Sequence, residues 1–304
     1  MSSPKQIYGL IGCPVKHSLS GVMHNAAFEY YGINAEYRLF EVEPKDLEGF
    51  IKGNITVDGV SAKDVIGFNI TIPHKVKAKE ILEKIIEKRT GYIKLAGAVN
   101  TVKRESGGID YDNTDSVGFE RSLEKDLKLK LEDIYGRKVF IFGCGGAGRA
   151  AVAGLAWEEG LKDDSKIGKI YMYDKSYNAL ESARAHFSDF LEEENKKMEF
   201  IFDKNKIPEI IKDCRLLVNA SPVGMKKGDA SIFDKHLFHK DLYVYDVIYN
   251  RETQLIKDAK EKCKAVSGGL GMLLYQGVLA WEFWTGREAP VKIMEESLKK
   301  ELKK

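Results

Sequence analysis

Four short polar clusters hold the side chains of this chain that could do chemistry. They are His17-Ser18-Leu19-Ser20, Asn69-Ile70-Thr71-Ile72-Pro73-His74-Lys75, Asn100-Thr101 and Asn113-Thr114-Asp115. Each follows directly on an apolar strand or turn, the place where open α/β sheets put their ligands. A hydride transfer to a ketone needs a group that gives a proton to the developing alkoxide, and these clusters contain the candidates.

A fifth segment points to the hydride carrier. Lys138-Val-Phe-Ile-Phe runs straight into Gly143-Cys144-Gly145-Gly146-Ala147-Gly148, and an Ala-rich helical pattern follows. That is the strand, Gly-x-Gly-x-x-Gly turn and helix of a dinucleotide site. One glycine makes the turn, the next lets the backbone approach the pyrophosphate, and the third lets helix and strand pack closely. The helix N-terminus offers N–H groups and partial positive charge to the phosphates. The competing explanation is a glycine-rich structural turn, and the correct flanks on both sides favour the cofactor.

The elements that must position these residues alternate between strand and helix. In the first block, strands are predicted over residues 6–11, 36–42, 65–71, 98–103 and 108–111, the last two joined through Ser106-Gly107-Gly108. Helices are predicted over 23–31, 44–52 and 75–88, the last with Ile81, Leu82 and Ile85 on its buried face. In the second block, strands are predicted over 138–142, 169–173, 199–202, 216–220, 243–248 and 264–267, with a polar insertion at 158–168. A helix over 116–127 precedes them, and a long helix over 273–284 follows. The fold class is therefore α/β, with an N-terminal α/β domain on a mostly parallel sheet and a doubly wound Rossmann domain. The expected domains are 1–116 with 272–304, discontinuous, for substrate, and 117–271 for cofactor.

Composition narrows the partners. Lys and Arg number 48 against 46 Asp and Glu, so no global field draws the chain to nucleic acid or an anionic membrane. No apolar run approaches the ~20 residues that span a bilayer, and the N-terminus lacks a signal peptide's apolar stretch, so a cytoplasmic protein is expected. Cys13, Cys144, Cys214 and Cys263 are far apart and the six histidines are scattered, so no metal site is expected.

Taken together, the clusters resemble the shikimate dehydrogenase family over nearly the whole chain. Residues 12–20 look like its N-terminal signature, 69–75 like its catalytic strand end, and 96–101 and 113–115 like two further motifs. Asn219-Ala220-Ser221-Pro222-Val223-Gly224-Met225 and 269–276 match the remaining ones. The resemblance implies a reversible NAD(P)-dependent reduction of 3-dehydroshikimate to shikimate in aromatic amino acid biosynthesis. Lys75 would donate the proton and Asp115 would pair with it. Ser18 and Ser20 would bind the substrate carboxylate, and Thr71, Asn100, Tyr249 and Gln276 would complete the substrate site. Ser221, Val247 and Gly269 would join the glycine loop against the cofactor.

Each assignment has a plainer competitor. Ser18 and Ser20 could be helix N-caps, Asp115 the N-cap of the helix over 116–127, and Lys75 a solvated lysine, although the positive end of a helix repels it. Gly21 stands where the family usually has proline, Tyr111 where glycine is frequent, Ser221 where threonine is usual and Arg251 where proline is common. Shikimate is favoured over quinate because the paired serines match the family's shikimate-selective form. A non-catalytic metabolite sensor is disfavoured because it would need neither Lys75 nor Asp115. Oligomeric state stays open.

Asp174-Lys175-Ser176 closes the second Rossmann strand where NADP-using relatives typically carry Asn-Arg-Thr, and Ala179 stands where a second arginine often lies. A carboxylate there can accept from a ribose 2′-OH and repel a 2′-phosphate, so NAD is the expected cofactor. Lys175 could still meet a phosphate, which keeps NADP open. The competing explanation for Asp174 is a simple turn residue.

Overall fold

A computed structural model describes residues 4–86, 91–156, 168–188, 190 and 197–304. The insertion expected over 158–168 lies outside the described residues except for Gly168. The chain forms two compact units, Met1–Thr114 with Leu274–Lys304, and Asp115–Leu273.

The first unit opens with β1 (Gln6–Gly12), α1 (Ser20–Tyr30), β2 (Ala35–Glu41) and α2 (Leu47–Lys52). A small hairpin follows, β3 (Thr56–Val57) and β4 (Val60–Ser61), turned by Asp58 and Gly59, both at positive φ. This Asp-Gly pair is the residue type that a two-residue hairpin turn demands. The unit continues through β5 (Val65–Ile70), α3 (Lys75–Leu82), α4 (Gly91–Ala96), β6 (Thr101–Glu105) and β7 (Gly108–Asp112). The sheet order is β2-β1-β5-β6-β7. It is parallel across β2-β1-β5 and antiparallel across β5-β6-β7, the second half being the hairpin expected at Ser106-Gly107-Gly108. Ile11, Phe40, Phe50, Phe68 and Ile70 bury one face of it.

One helix is shorter than the apolar pattern predicts. α3 ends at Leu82, and Ile85, expected on its buried face, is 44% exposed. The Leu82 carbonyl accepts from both Ile85 and Ile86 N–H, which closes the helix as a turn after its buried positions Ala78, Ile81 and Leu82. In the other direction, α1 starts at Ser20, three residues earlier than predicted.

The second unit begins with α5 (Thr114–Leu127), whose first residue closes the first unit. It continues with β8 (Lys138–Phe142), α6 (Gly146–Ala156), β9 (Ile170–Tyr173), α7 (Tyr177–Ser188), β10 (Met198–Phe200) and α8 (Ile207–Lys212). Then come β11 (Cys214–Asn219), β12 (Tyr243–Asp246), α9 (Gln254–Lys260) and β13 (Ala265–Gly268). All five strand pairings are parallel and the order is β10-β9-β8-β11-β12-β13. In Rossmann numbering this is 3-2-1-4-5-6, with the switch point between β8 and β11. Such strands, covered on both faces, need near-continuous apolar runs, and Val139 to Phe142 and Leu216 to Val218 are buried throughout. The chain ends with α10 (Leu270–Thr285) and α11 (Val291–Glu301), the latter packed on α1. Among the described residues, no helix is long and apolar enough to cross a membrane.

Candidate active site

In the first unit, backbone hydrogen bonds gather three of the polar clusters at the carboxyl ends of β1 and β5. Thr71 N–H donates to Ile11 O, and Cys13 N–H donates to Ile72 O, so the chain after β1 runs beside the chain after β5. Ile70 N–H donates to Asn100 O and Val99 N–H to Lys75 O, which brings in the third cluster. Gly12 has no room for a side chain, because a Cβ there would run into Thr71 Cγ2. Beyond β1, Ser18 Oγ donates to Ser20 Oγ at 3.1 Å and accepts from Ser20 N–H at 3.2 Å. Neither serine occupies the N-cap position of α1, which is Leu19 and carries no side-chain cap bond, although Ser18 Oγ takes up the N–H of the helix's first residue.

A buried chain of neutral side chains lies under these residues. Tyr37 Oη donates to Asn69 Oδ1 at 2.8 Å, and Asn69 Nδ2 donates to Thr101 Oγ1 at 3.0 Å. Thr101 Oγ1 in turn donates to Asn100 Oδ1 at 3.1 Å, and Thr114 N–H donates to that same oxygen at 2.7 Å. A backbone N–H can only donate, so the Asn100 carbonyl must face Thr114. One Nδ2 proton goes to Thr114 Oγ1, and among the described residues the other has no protein acceptor. The group Asn100 leaves unengaged is therefore a donor. Asn113 Nδ2 holds Ala98 O at 2.9 Å and fixes the turn into α5.

Lys75 is the half-buried first residue of α3. Gln276 is buried on α10, and the next residue, Gly277, lets that helix lie close on Met23 and His24 of α1. Thus Ser18, Ser20, Thr71, Lys75, Asn100 and Gln276 all belong to the first unit, whereas Asp115 and Tyr249 belong to the second. Asp115 is 4% exposed in the first turn of α5 rather than at its N-cap.

In the second unit, the glycine loop meets the geometric demands of a dinucleotide. Gly143 has φ +109° and sits against the Ala220 and Ser221 backbone, which only glycine tolerates. A Cβ at Gly148 would run into the Gly143 carbonyl, whereas Gly145 faces open space. That open backbone, ahead of the N–H groups of an eleven-residue helix, fits a pyrophosphate. Gly269 packs against the Val247 backbone with no room for a Cβ.

Carboxylates pin the loops around it. Asp174 Oδ2 accepts from Cys144 N–H at 2.9 Å, and Oδ1 accepts from Ser176 N–H at 2.8 Å. Arg149 Nε donates to Cys144 O at 3.2 Å, so the loop is held from both faces. Burial, with the Asp174 charge second, pushes the Cys144 thiol up to about 12 and leaves it inert. Behind the loop, Asp246 is fully buried at the end of β12 and accepts from Thr253 Oγ1, Asn219 Nδ2 and Ile248 N–H. Ser221 Oγ donates to Asn219 Oδ1 at 2.7 Å. Burial raises the Asp246 carboxyl to about 6 against those hydrogen bonds. Reading the sequence missed Arg149, Asp246 and Thr253. Arg149 directly follows the glycine motif, which was the one available signal. Among the described residues, no group of three His, Cys, Asp or Glu could hold a metal ion.

Comparison with known proteins identifies the family. Residues 10–102 match the model of the shikimate dehydrogenase substrate binding domain, and residues 269–299 that of the shikimate 5′-dehydrogenase C-terminal domain. A Methanopyrus kandleri protein named shikimate dehydrogenase (NADP(+)) is 36% identical over 98% of this chain and 96% of its own. An Aquifex aeolicus protein of the same name is 34% identical over 98% of both. The chain belongs to the shikimate dehydrogenase family. A solved shikimate dehydrogenase in complex with NADP+ superposes with a TM-score of 0.79 at 31% identity, covering 99% of this chain and 96% of the other. The family's members are oxidoreductases, and the two-domain α/β architecture expected from the motifs is the one they share.

The relatives correct one expectation. Asp174 favoured NAD, yet these family members are named for NADP(+) and the solved one holds NADP+. The physical reason lies in where the carboxylate points. Both Asp174 oxygens are engaged by backbone N–H groups of the glycine loop and the following turn, so the acid acts as a tether. The exposed neighbours Lys175 and Ser176 carry no such negative charge.

Proposed function

We propose that this member of the shikimate dehydrogenase family interconverts 3-dehydroshikimate and shikimate with NADP as the hydride carrier. One observation carries the reading: backbone hydrogen bonds join the polar clusters after β1 and β5 with Asn100, over a buried floor of neutral amides and hydroxyls. Such a floor suits a polyol, whose hydroxyls both donate and accept.

When bound, the nicotinamide supplies the hydride for reduction or takes it in oxidation. Lys75 gives a proton to the ketone oxygen in one direction and recovers it in the other. Asp115 is assigned as the acid that partners the lysine. Ser18 and Ser20 donate to the substrate carboxylate, the Asn100 amide donates to a ring hydroxyl, and Thr71, Tyr249 and Gln276 complete the set. On the cofactor side, Gly143 to Gly148 take the pyrophosphate, with Ser221, Val247 and Gly269 beside them. Lys175 and the first turn of α7 take the 2′-phosphate.

The test is initial-rate formation of reduced cofactor with shikimate and quinate, each paired with NADP+ and NAD+. The highest kcat/KM is expected for shikimate with NADP+. Absence of turnover with shikimate, or a higher kcat/KM for quinate, would overturn the substrate assignment. Turnover with NAD+ but not NADP+ would overturn the cofactor.

A further inference from the structure

A polar cavity lies in the second unit, at the end of the sheet opposite the glycine loop. It has a volume of about 360 Å³ and is lined by residues that enter three adjacent strands: Arg137 before β8, Lys212 to Arg215 at the start of β11, and His239 and Asp241 before β12. A strand of five residues spans ~17 Å, which separates this cavity from the turn at Gly143. Parallel α/β sheets put their ligands at the carboxyl ends, so a polar cavity at the amino ends needs its own explanation.

The protein does not satisfy the groups that line it. Among the described residues, Arg215 Nε and His239 Nε2, both buried, have no hydrogen-bond partner. Arg215 is already positioned, donating through Nη1 to Asp241 O at 3.1 Å and lying 5.0 Å over the Tyr243 ring. The other charges are mostly matched. Lys138 pairs with Asp213 at 2.9 Å, and Lys212 pairs with Glu209 at 2.7 Å. That leaves the guanidinium groups of Arg137 and Arg215 with the His239 ring, against the exposed Asp241. Burial and the Asp213 charge push the Cys214 thiol up to about 12, against the opposing pull of Lys138, so it brings no reactivity.

We propose that this cavity binds a phosphate group, as the free ion or as a small phosphomonoester. Small side-chain rotations would bring Arg215 Nε–H and the Nε2–H form of His239, both occluded by their neighbours, against two of its oxygens, with Arg137 supplying charge at the mouth. A tetrahedral oxyanion can accept from donors that converge from three strand ends, and a guanidinium fork matches it. The cavity exceeds the size of a lone phosphate, which leaves room for the ester. Occupation would tie together the amino ends of β8, β11 and β12 and stabilise the folded unit by mass action.

The experiment uses the full chain with NADP+ at saturation, so that the nucleotide's own phosphate sites are filled. Inorganic phosphate and glycerol 3-phosphate are titrated separately by calorimetry, at constant ionic strength against chloride. One site is expected for at least one of the two, and the tighter binder identifies the source. Arg215→Lys keeps the charge and loses Nε, and should weaken binding about tenfold, equivalent to ~1.4 kcal/mol. Arg137→Gln, at an exposed position, should weaken it by about threefold, a rim-charge effect. Turnover of shikimate should be unchanged in both variants. Failure of both anions to bind, or equal affinity in parent and variants, would overturn the site. Neither outcome bears on the dehydrogenase assignment, which the rate measurements test by themselves.

Discussion

The two units place polar groups at the carboxyl ends of their strands by opposite means. In the second unit the surface proposed to meet the cofactor is backbone, and carboxylates hold it in shape. Asp174 fixes Cys144 and Ser176, Asp229 fixes Gly224 and Lys226, and Asp246 fixes Ile248. In the first unit the surface proposed to meet the substrate is side chain, held by neutral amides and hydroxyls from Tyr37 through Asn69 and Thr101 to Asn100. A pyrophosphate is common to every dinucleotide, and backbone N–H groups suffice for it. A polyol is distinguished only by which hydroxyl meets which donor or acceptor, and that needs particular side chains.

The largest effect expected from breaking this contrast is at Lys75. Lys75→Ala should lower kcat by about two to four orders of magnitude, the usual contribution of a positioned proton donor, and change NADP+ affinity little. Single-turnover kinetics together with equilibrium NADP+ titration would measure both. A kcat within a few-fold of the parent would remove Lys75 from the chemistry and leave the first unit a binding scaffold.

The same contrast explains what could be read from the sequence. Where backbone geometry dictates residue type, the sequence is legible: Gly143 at φ +109° and the tightly packed Gly148 leave no alternative to glycine. The strand succession of the second unit followed from that motif and the apolar runs. Asp58-Gly59 carried an equally physical hairpin signal, but it lies in so short a ribbon that no alternating strands surround it. Side-chain partnerships were not legible. Asp174 meets Cys144 across thirty residues, and its spacing was equally compatible with a carboxylate facing a ribose. Asp246 and Thr253 look like ordinary polar residues of a loop until the fold buries them. His24 looked like one of six scattered histidines, whereas it is fully buried, 4.5 Å from the Tyr37 ring and stacked on it.

That histidine and Asp246 extend the comparison to pH, with opposite signs. Burial lowers His24 to about 3 from 6.5, and among the described residues neither ring nitrogen has a partner. The unfolded chain therefore binds a proton below pH 6.5 that the fold refuses, and the first unit loses stability as pH falls from 6.5 toward 3. Asp246 is raised from 3.8 to about 6, so the fold holds a proton that the unfolded chain releases. Its contribution is complete below 3.8 and is lost as pH rises through 6. Melting temperatures at about pH 7 and about pH 4.5 should show it, each group contributing on the order of 1–3 kcal/mol. His24→Phe should reduce the loss on acidification, and Asp246→Asn should increase it. A change of the same sign in both variants would mean that these two groups do not set the difference.

The smallest effect concerns the tether, and it separates a structural carboxylate from a ribose-reading one. Asp174→Ala removes two hydrogen bonds from an ionised acceptor, one of them to the glycine loop itself. A loosened loop should bind every dinucleotide less well, by about tenfold or ~1.4 kcal/mol, with NADP+ and NAD+ losing the same factor. Asp174→Asn keeps one acceptor oxygen and turns an NH2 toward the other N–H, so it should fall between parent and alanine for both cofactors. Equilibrium titration of the two nucleotides against the three proteins gives the ratio directly. If NADP+ binding improves while NAD+ binding weakens, the carboxylate does face the ribose, and the second unit also recognises its ligand through a side chain. If the ratio stays constant, Asp174 acts on the cofactor only through the backbone it holds.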